Sequence, residues 1–136
     1  MSTVDNVLGF DHLHIYCTDT STTARFFTDH FGGKLTGESD NIHGQARLFI
    51  DLAGILLALS PFPPGTHAPP PATSVEGGTG SGGIAHFGIR VRAVTAAVEA
   101  LEAAGVVILT RPTSDSLLAY AYISAPDGVV IELTEY

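Results

Sequence analysis

The hydrophobic pattern of this chain is written twice. Residues 9–17, GFDHLHIYC, form a short, mostly apolar run that predicts a strand. A second run, GIAHFGIRV at 83–91, lies 74 positions later. The same offset places GILLALS, 54–60, on GVVIELT, 128–134, and the amphipathic stretch 20–31 on 94–105. Each half opens with a strand and continues into a helix. In the second half the helix covers about 93–104, with Val94, Ala97, Val98 and Leu101 at helical spacing and Gly105 as its stop. In the first half Asp19 or Thr20 caps a helix carrying Ala24, Phe27 and Phe31, ended by Gly32 and Gly33. Three strands follow each helix, at about 34–39, 46–52 and 54–60, then at about 106–110, 117–124 and 128–134, with Asp127-Gly128 as a turn. The prediction is an α+β chain of two tandem βαβββ modules, about 9–60 and 83–134, within one domain spanning 1–136. Residues 61–82 are dominated by Pro and Gly and are expected to be a connector without regular structure.

The repeat gives meaning to residues that are uninformative singly. His12 falls on His86, each the fourth residue of its opening run, and Ala58 falls on Glu132 in the closing strands. Approximate two-fold symmetry would gather His12, His86 and Glu132 around one axis, with Ala58 as a fourth corner that offers no ligand. Two imidazoles and a carboxylate suit a first-row divalent metal, and three ligands leave positions open for substrate, water or dioxygen. His14 shares the strand face of His12, because side chains at i and i+2 point the same way. Its counterpart is Gly88, so the repeat marks His12 as the metal ligand and His14 as a substrate contact or acid–base group.

Composition narrows the chemistry. Hydrophobic residues make up 45% of the 136 and charged residues 15%, enough apolar material for a core. A net charge of −8 with six Lys and Arg disfavours nucleic acid and anionic membrane surfaces. One cysteine, Cys17, excludes an internal disulfide and reads as a small buried apolar residue. The start, MSTVDNVLGFDH, lacks the basic and apolar regions of a targeting segment, and no run reaches the ~18 apolar residues of a membrane span. A cytoplasmic protein acting on a small molecule is expected.

Together, FDHLHIYCTD, with Asp19 seven residues after His12, IAHFGIRV around His86 and APDGVVIELTEY around Glu132 resemble the vicinal oxygen chelate superfamily. That superfamily includes glyoxalase I, methylmalonyl-CoA epimerase, fosfomycin and bleomycin resistance proteins and extradiol dioxygenases. The resemblance spans essentially the whole chain and implies paired modules that build a cupped mixed sheet around a metal. It implies His12, His86 and Glu132 as ligands, with Fe(II) or Mn(II) favoured and Zn, Ni, Co or Mg admissible. Glyoxalase I and the epimerases place glutamate or glutamine where this chain has Ala58. The remaining two-histidine, one-glutamate set resembles that of extradiol dioxygenases and fosfomycin-resistance transferases. Tyr122 matches a substrate-binding tyrosine of the dioxygenases, Tyr120 shares its face, and His67 is the candidate for their acid–base histidine. Arg47 is a candidate substrate contact, whereas His43 reads as solvent-exposed and His30 as a partner of the helix dipole. The expected activity is metal-dependent and dioxygenase-like. A lyase or isomerase recruiting another base, and a drug-binding protein of the bleomycin or fosfomycin resistance kind, are the alternatives. The resemblance also implies a homodimer, with modules paired within one chain or exchanged between two.

Overall fold

The computed structural model describes residues 2–75, 83–114 and 118–136. The chain divides into two compact units, Met1–Pro61 and Phe62–Tyr136, and each is a four-stranded sheet with one helix.

In the first unit, β1 (His12–Cys17), α1 (Thr20–Phe31), β2 (Lys34–Asp40), β3 (Ala46–Leu52) and β4 (Ile55–Pro61) follow in order. The sheet order is β1-β4-β3-β2, with β1 parallel to β4 and the other pairs antiparallel. Asp19 caps α1 by accepting a hydrogen bond from the Thr22 amide at 3.0 Å, which satisfies one of the helix's orphan donors. Gly32 ends the helix at φ 68°, a left-handed conformation that glycine adopts without steric cost. Phe27 and Thr23, one turn apart, are the buried positions of α1. The expected Ala24 is only partly covered, because the buried stripe runs through i and i−4 from Phe27. Beneath the helix lie Ile15, Cys17, Ile50, Leu52, Leu57 and Leu59, all buried. Cys17 is thus a core residue.

The second unit repeats the plan with β5 (Phe87–Arg90), α2 (Val94–Ala103), β6 (Ile108–Ser114), β7 (Ala119–Ser124) and β8 (Val130–Glu135). Its sheet order is β5-β8-β7-β6, with β5 parallel to β8. Val94, Val98 and Leu101 of α2 are buried, as are Ala121, Ile123, Ile131 and Leu133 of the sheet. The two βαβββ modules are those predicted from the repeat.

Several strand boundaries differ from the prediction, and three of them have a clear local reason. β1 starts at His12 rather than residue 9 because its partner among the described residues, β4, starts at Ile55 and pairs Leu56 with His12. Upstream residues would face the 53–54 turn, where no ladder continues. β5 is shortened in the same way, so His86 stands immediately before the strand instead of inside it. β6 begins later because the Val106 amide donates to the Leu101 carbonyl at the end of α2. It then runs through Pro112, which an edge strand tolerates at the register shift between Thr110 and Thr113. Residue 117, expected in a strand, lies outside the described residues.

Pro61, expected in the connector, is the last residue of β4, because the ladder with β1 extends to Cys17. The rest of the connector's described part, residues 62–75, has neither helix nor strand. It is nevertheless packed within its unit. Ala72 is buried, and a Cβ placed on Gly128 would lie 2.9 Å from Pro69 Cγ and 3.1 Å from the Pro70 carbonyl oxygen. The 126–128 turn and the prolines therefore touch across a position only glycine can occupy.

Candidate metal centre

The face of the first sheet opposite α1 carries the polar residues of β1. His12, His14 and Tyr16 alternate with the core-facing Ile15 and Cys17. His14 stands opposite Ala58 in the parallel ladder, and Tyr16 opposite Ser60. His14 Nε2 lies 2.7 Å from the hydroxyl of Ser60, itself 2% exposed. His12 is bound through its other ring nitrogen, Nδ1, which donates to Asp11 at 2.6 Å. Partial desolvation, then the charges of Arg47 and His12, hold His14 below the ordinary histidine pKa. Arg47 is fixed on β3 by hydrogen bonds of 3.2 and 3.1 Å to the Ser39 hydroxyl and lies over the Phe49 ring at 5.4 Å.

In the second sheet, His86 Nε2 meets Glu132 Oε2 at 3.1 Å, with both side chains mostly covered. Tyr122 stands directly opposite Glu132 on β7. Its ring contacts His86 edge-on at 5.1 Å and Tyr120 at 6.0 Å. Desolvation foremost, then the Glu132 charge, Tyr120 and a hydrogen bond to Glu132, raise the Tyr122 phenol above its ordinary pKa. The phenol therefore stays protonated and is a donor.

Register explains how Tyr122 reaches this face. The 74-residue offset would match Tyr122 to Leu48. The ladders match it to Phe49, since Phe49 pairs with Ala58 as Tyr122 pairs with Glu132. One residue is missing before β7, where four residues separate it from β6 against the five between β2 and β3. One is regained in the next turn, where the Ala125 amide bonds the Val129 carbonyl around three residues instead of two. A single-residue slip exchanges the faces of a strand. Tyr120 and Tyr122 consequently share the face of Glu132, and Arg47 occupies the position of Tyr120.

The donor set suits a divalent ion. Neighbouring ligands on an octahedral ion, each at about 2.1 Å, stand about 3.0 Å apart. The 3.1 Å between His86 and Glu132 is an ordinary hydrogen bond in which Nε2–H donates to the carboxylate. It also leaves the two atoms at about that spacing, so a bound ion would take the place of this proton. Within neither unit do three or more His, Cys, Asp or Glu side chains gather among the described residues, so the second unit by itself presents two ligands. His67 is exposed in the connector and hydrogen-bonds none of the candidate residues among those described. His43 is exposed, as expected, and His30 lies in the last turn of α1 against the Phe26 ring at 5.1 Å. Asp11 and Ser60 were not foreseen. Asp11 adjoins His12 in sequence and was open to recognition there, whereas Ser60 reaches His14 only through strand pairing. An open depression of about 400 Å³ lined by Arg90, Val91, Arg92, Glu135 and Tyr136 contains none of the candidates.

The family model Glyoxalase/Bleomycin resistance protein/Dioxygenase superfamily matches residues 9–133. The chain belongs to this superfamily. No curated protein matches the chain. Among solved structures, the glyoxylase/bleomycin resistance protein/dioxygenase domain from Frankia sp. EAN1pec has a TM-score of 0.76 at 15% identity, covering 96% of this chain and 98% of that one. The fosfomycin resistance protein FosX from Listeria monocytogenes has a TM-score of 0.70 at 14% identity, covering 96% and 94%. A further FosX structure from that organism, complexed with Mn(II) and sulfate ion, has a TM-score of 0.69 at 16% identity, covering 96% and 93%. At these identities the likeness establishes the superfamily fold. No helix among the described residues is long and apolar enough to cross a membrane.

Proposed function

We propose that the protein is a divalent-metal-dependent enzyme that chelates neighbouring oxygens of a small organic substrate. His86 and Glu132 supply one edge of the ligand set, and His12, from the same chain or from a second copy in a homodimer, supplies the third ligand. The observation that carries this reading is the 3.1 Å His86–Glu132 pair beneath Tyr122, set against Ala58 at the corresponding place of the first module. Fe(II) and Mn(II) are the favoured ions, and Mn(II) is the ion in one FosX complex. A bound divalent ion supplies Lewis-acid activation and, if iron, access to dioxygen chemistry.

The chain's own groups have distinct tasks in this scheme. Tyr122, kept protonated, donates a hydrogen bond to a substrate oxygen, with Tyr120 beside it. His14, held neutral by its lowered pKa, accepts a proton from substrate. Arg47, already oriented by Ser39 and Phe49, faces an acidic substituent. His67 is a further candidate substrate contact in the connector. With Ala58 offering no carboxylate to shuttle protons, a dioxygenase-like reaction is the first reading. The second is a lyase or isomerase that uses His14 as its base, supported by the lowered His14 pKa beside the Ser60 hydroxyl.

Elemental analysis and titration with Mn(II) and Fe(II) test the reading. One ion per site is expected, lost in His86→Ala and in Glu132→Gln. Oxygen uptake by the Fe(II) form with catechols and 2-hydroxy or 2-oxo acids supports the oxidative reading, and solvent deuterium incorporated into recovered substrate supports the isomerase one. A wild-type protein that takes up neither ion overturns the proposal and favours metal-free binding of a drug-like molecule.

A further inference from the structure

The two histidines of β1 are held by different partners through different ring nitrogens. Asp11 is bound to Nδ1 of His12 at 2.6 Å, and Ser60 to Nε2 of His14 at 2.7 Å. A carboxylate only accepts, so Nδ1 of a neutral His12 carries the proton and Nε2 keeps its lone pair. A hydrogen bond at one ring nitrogen fixes the tautomer and orientation of a metal-binding histidine and raises the basicity of the other. We infer that Asp11 is a positioning residue, holding His12 with Nε2 presented to a divalent ion, while Ser60 withholds Nε2 of His14 and leaves Nδ1 as its reactive atom. This rests on His12 being a metal ligand, as proposed above, but the nitrogen assignment itself concerns the metal-free protein. It also gives a physical reason why two histidines on one strand face take different roles.

The Asp11 carboxylate is 88% exposed, so its pairing with His12 contributes little to folding stability. Asp11→Ala should therefore fold normally, and its defect should be specific. Long-range proton–nitrogen NMR of the metal-free protein near pH ~8, where imidazoles are neutral, is expected to show His12 protonated at Nδ1. In Asp11→Ala that preference is lost, while the His14 resonances move in Ser60→Ala instead. Mn(II) affinity should fall about 10- to 100-fold in Asp11→Ala, with an unchanged urea midpoint, and stay at the wild-type level in Ser60→Ala. A wild-type His12 protonated at Nε2 overturns the inference. So does an Asp11→Ala protein that binds Mn(II) like wild type while His12→Ala does not. If wild-type protein takes up no Mn(II), the metal reading fails, and the NMR spectra alone decide the role of Asp11.

Discussion

Two turns of different length join equivalent strand pairs, and only one is crowded at its glycine, which allows the connector's packing to be weighed. Gly54 and Gly128 occupy equivalent positions 74 residues apart, and both have positive φ, 92° and 77°. A Cβ on Gly54 meets nothing within 4 Å, whereas on Gly128 it would meet Pro69 Cγ at 2.9 Å and the Pro70 carbonyl oxygen at 3.1 Å. Gly54→Ala should thus cost only the left-handed strain, about 1–2 kcal/mol. Gly128→Ala adds overpacking against a proline ring and a backbone carbonyl that cannot rotate aside, about 1–3 kcal/mol more. With a urea slope of about 2 kcal/mol/M for a chain of this size, the midpoint should fall by about 0.5–1 M in the first variant. In the second it should fall by about 1–2.5 M. Urea unfolding followed by circular dichroism, with both variants in one buffer, measures the difference directly. Equal midpoint shifts would refute the claim that residues 69–70 are seated on this turn. The comparison bears on function because the Gly128 turn joins the strands that carry Tyr122 and Glu132.

Two further predictions concern titration. The raised Tyr122 pKa means that the folded protein holds that proton after the unfolded chain has released it, so its contribution to stability is lost as pH rises from about 10 towards the folded value. Tyr122→Phe should remove a phenol that titrates above the ordinary range from an ultraviolet difference titration, and an unchanged curve would show that Tyr122 is not desolvated. The lowered His14 pKa has the opposite consequence: the unfolded chain binds the proton first, so stability declines as pH falls below 6.5 towards the folded value. His14→Gln should flatten the dependence of the urea midpoint in that window, and an equally steep dependence would contradict the cause assigned.

Local pattern determined much of this protein. The repeat, the helices capped at Asp19 and stopped at Gly32, and the pairing of His12 with His86 and Ala58 with Glu132 all follow from hydrophobic period and offset. These are properties of sequence neighbours or of a whole module sliding on its copy. Chain-distant hydrogen bonding decided the rest. The run at 9–17 carries no sign that its ladder begins at His12, because that depends on where the partner strand turns away. The one-residue loss before β7 and its recovery at the next turn cancel in the offset. The resemblance singles out Tyr122, but only the ladder shows that it takes the place of Phe49 and stands opposite Glu132. The bond from Ser60 to His14 likewise spans 46 residues and exists because β4 lies parallel to β1. Sequence named the histidines, and strand pairing brought Ser60 within reach of His14, because register sets which side chains meet.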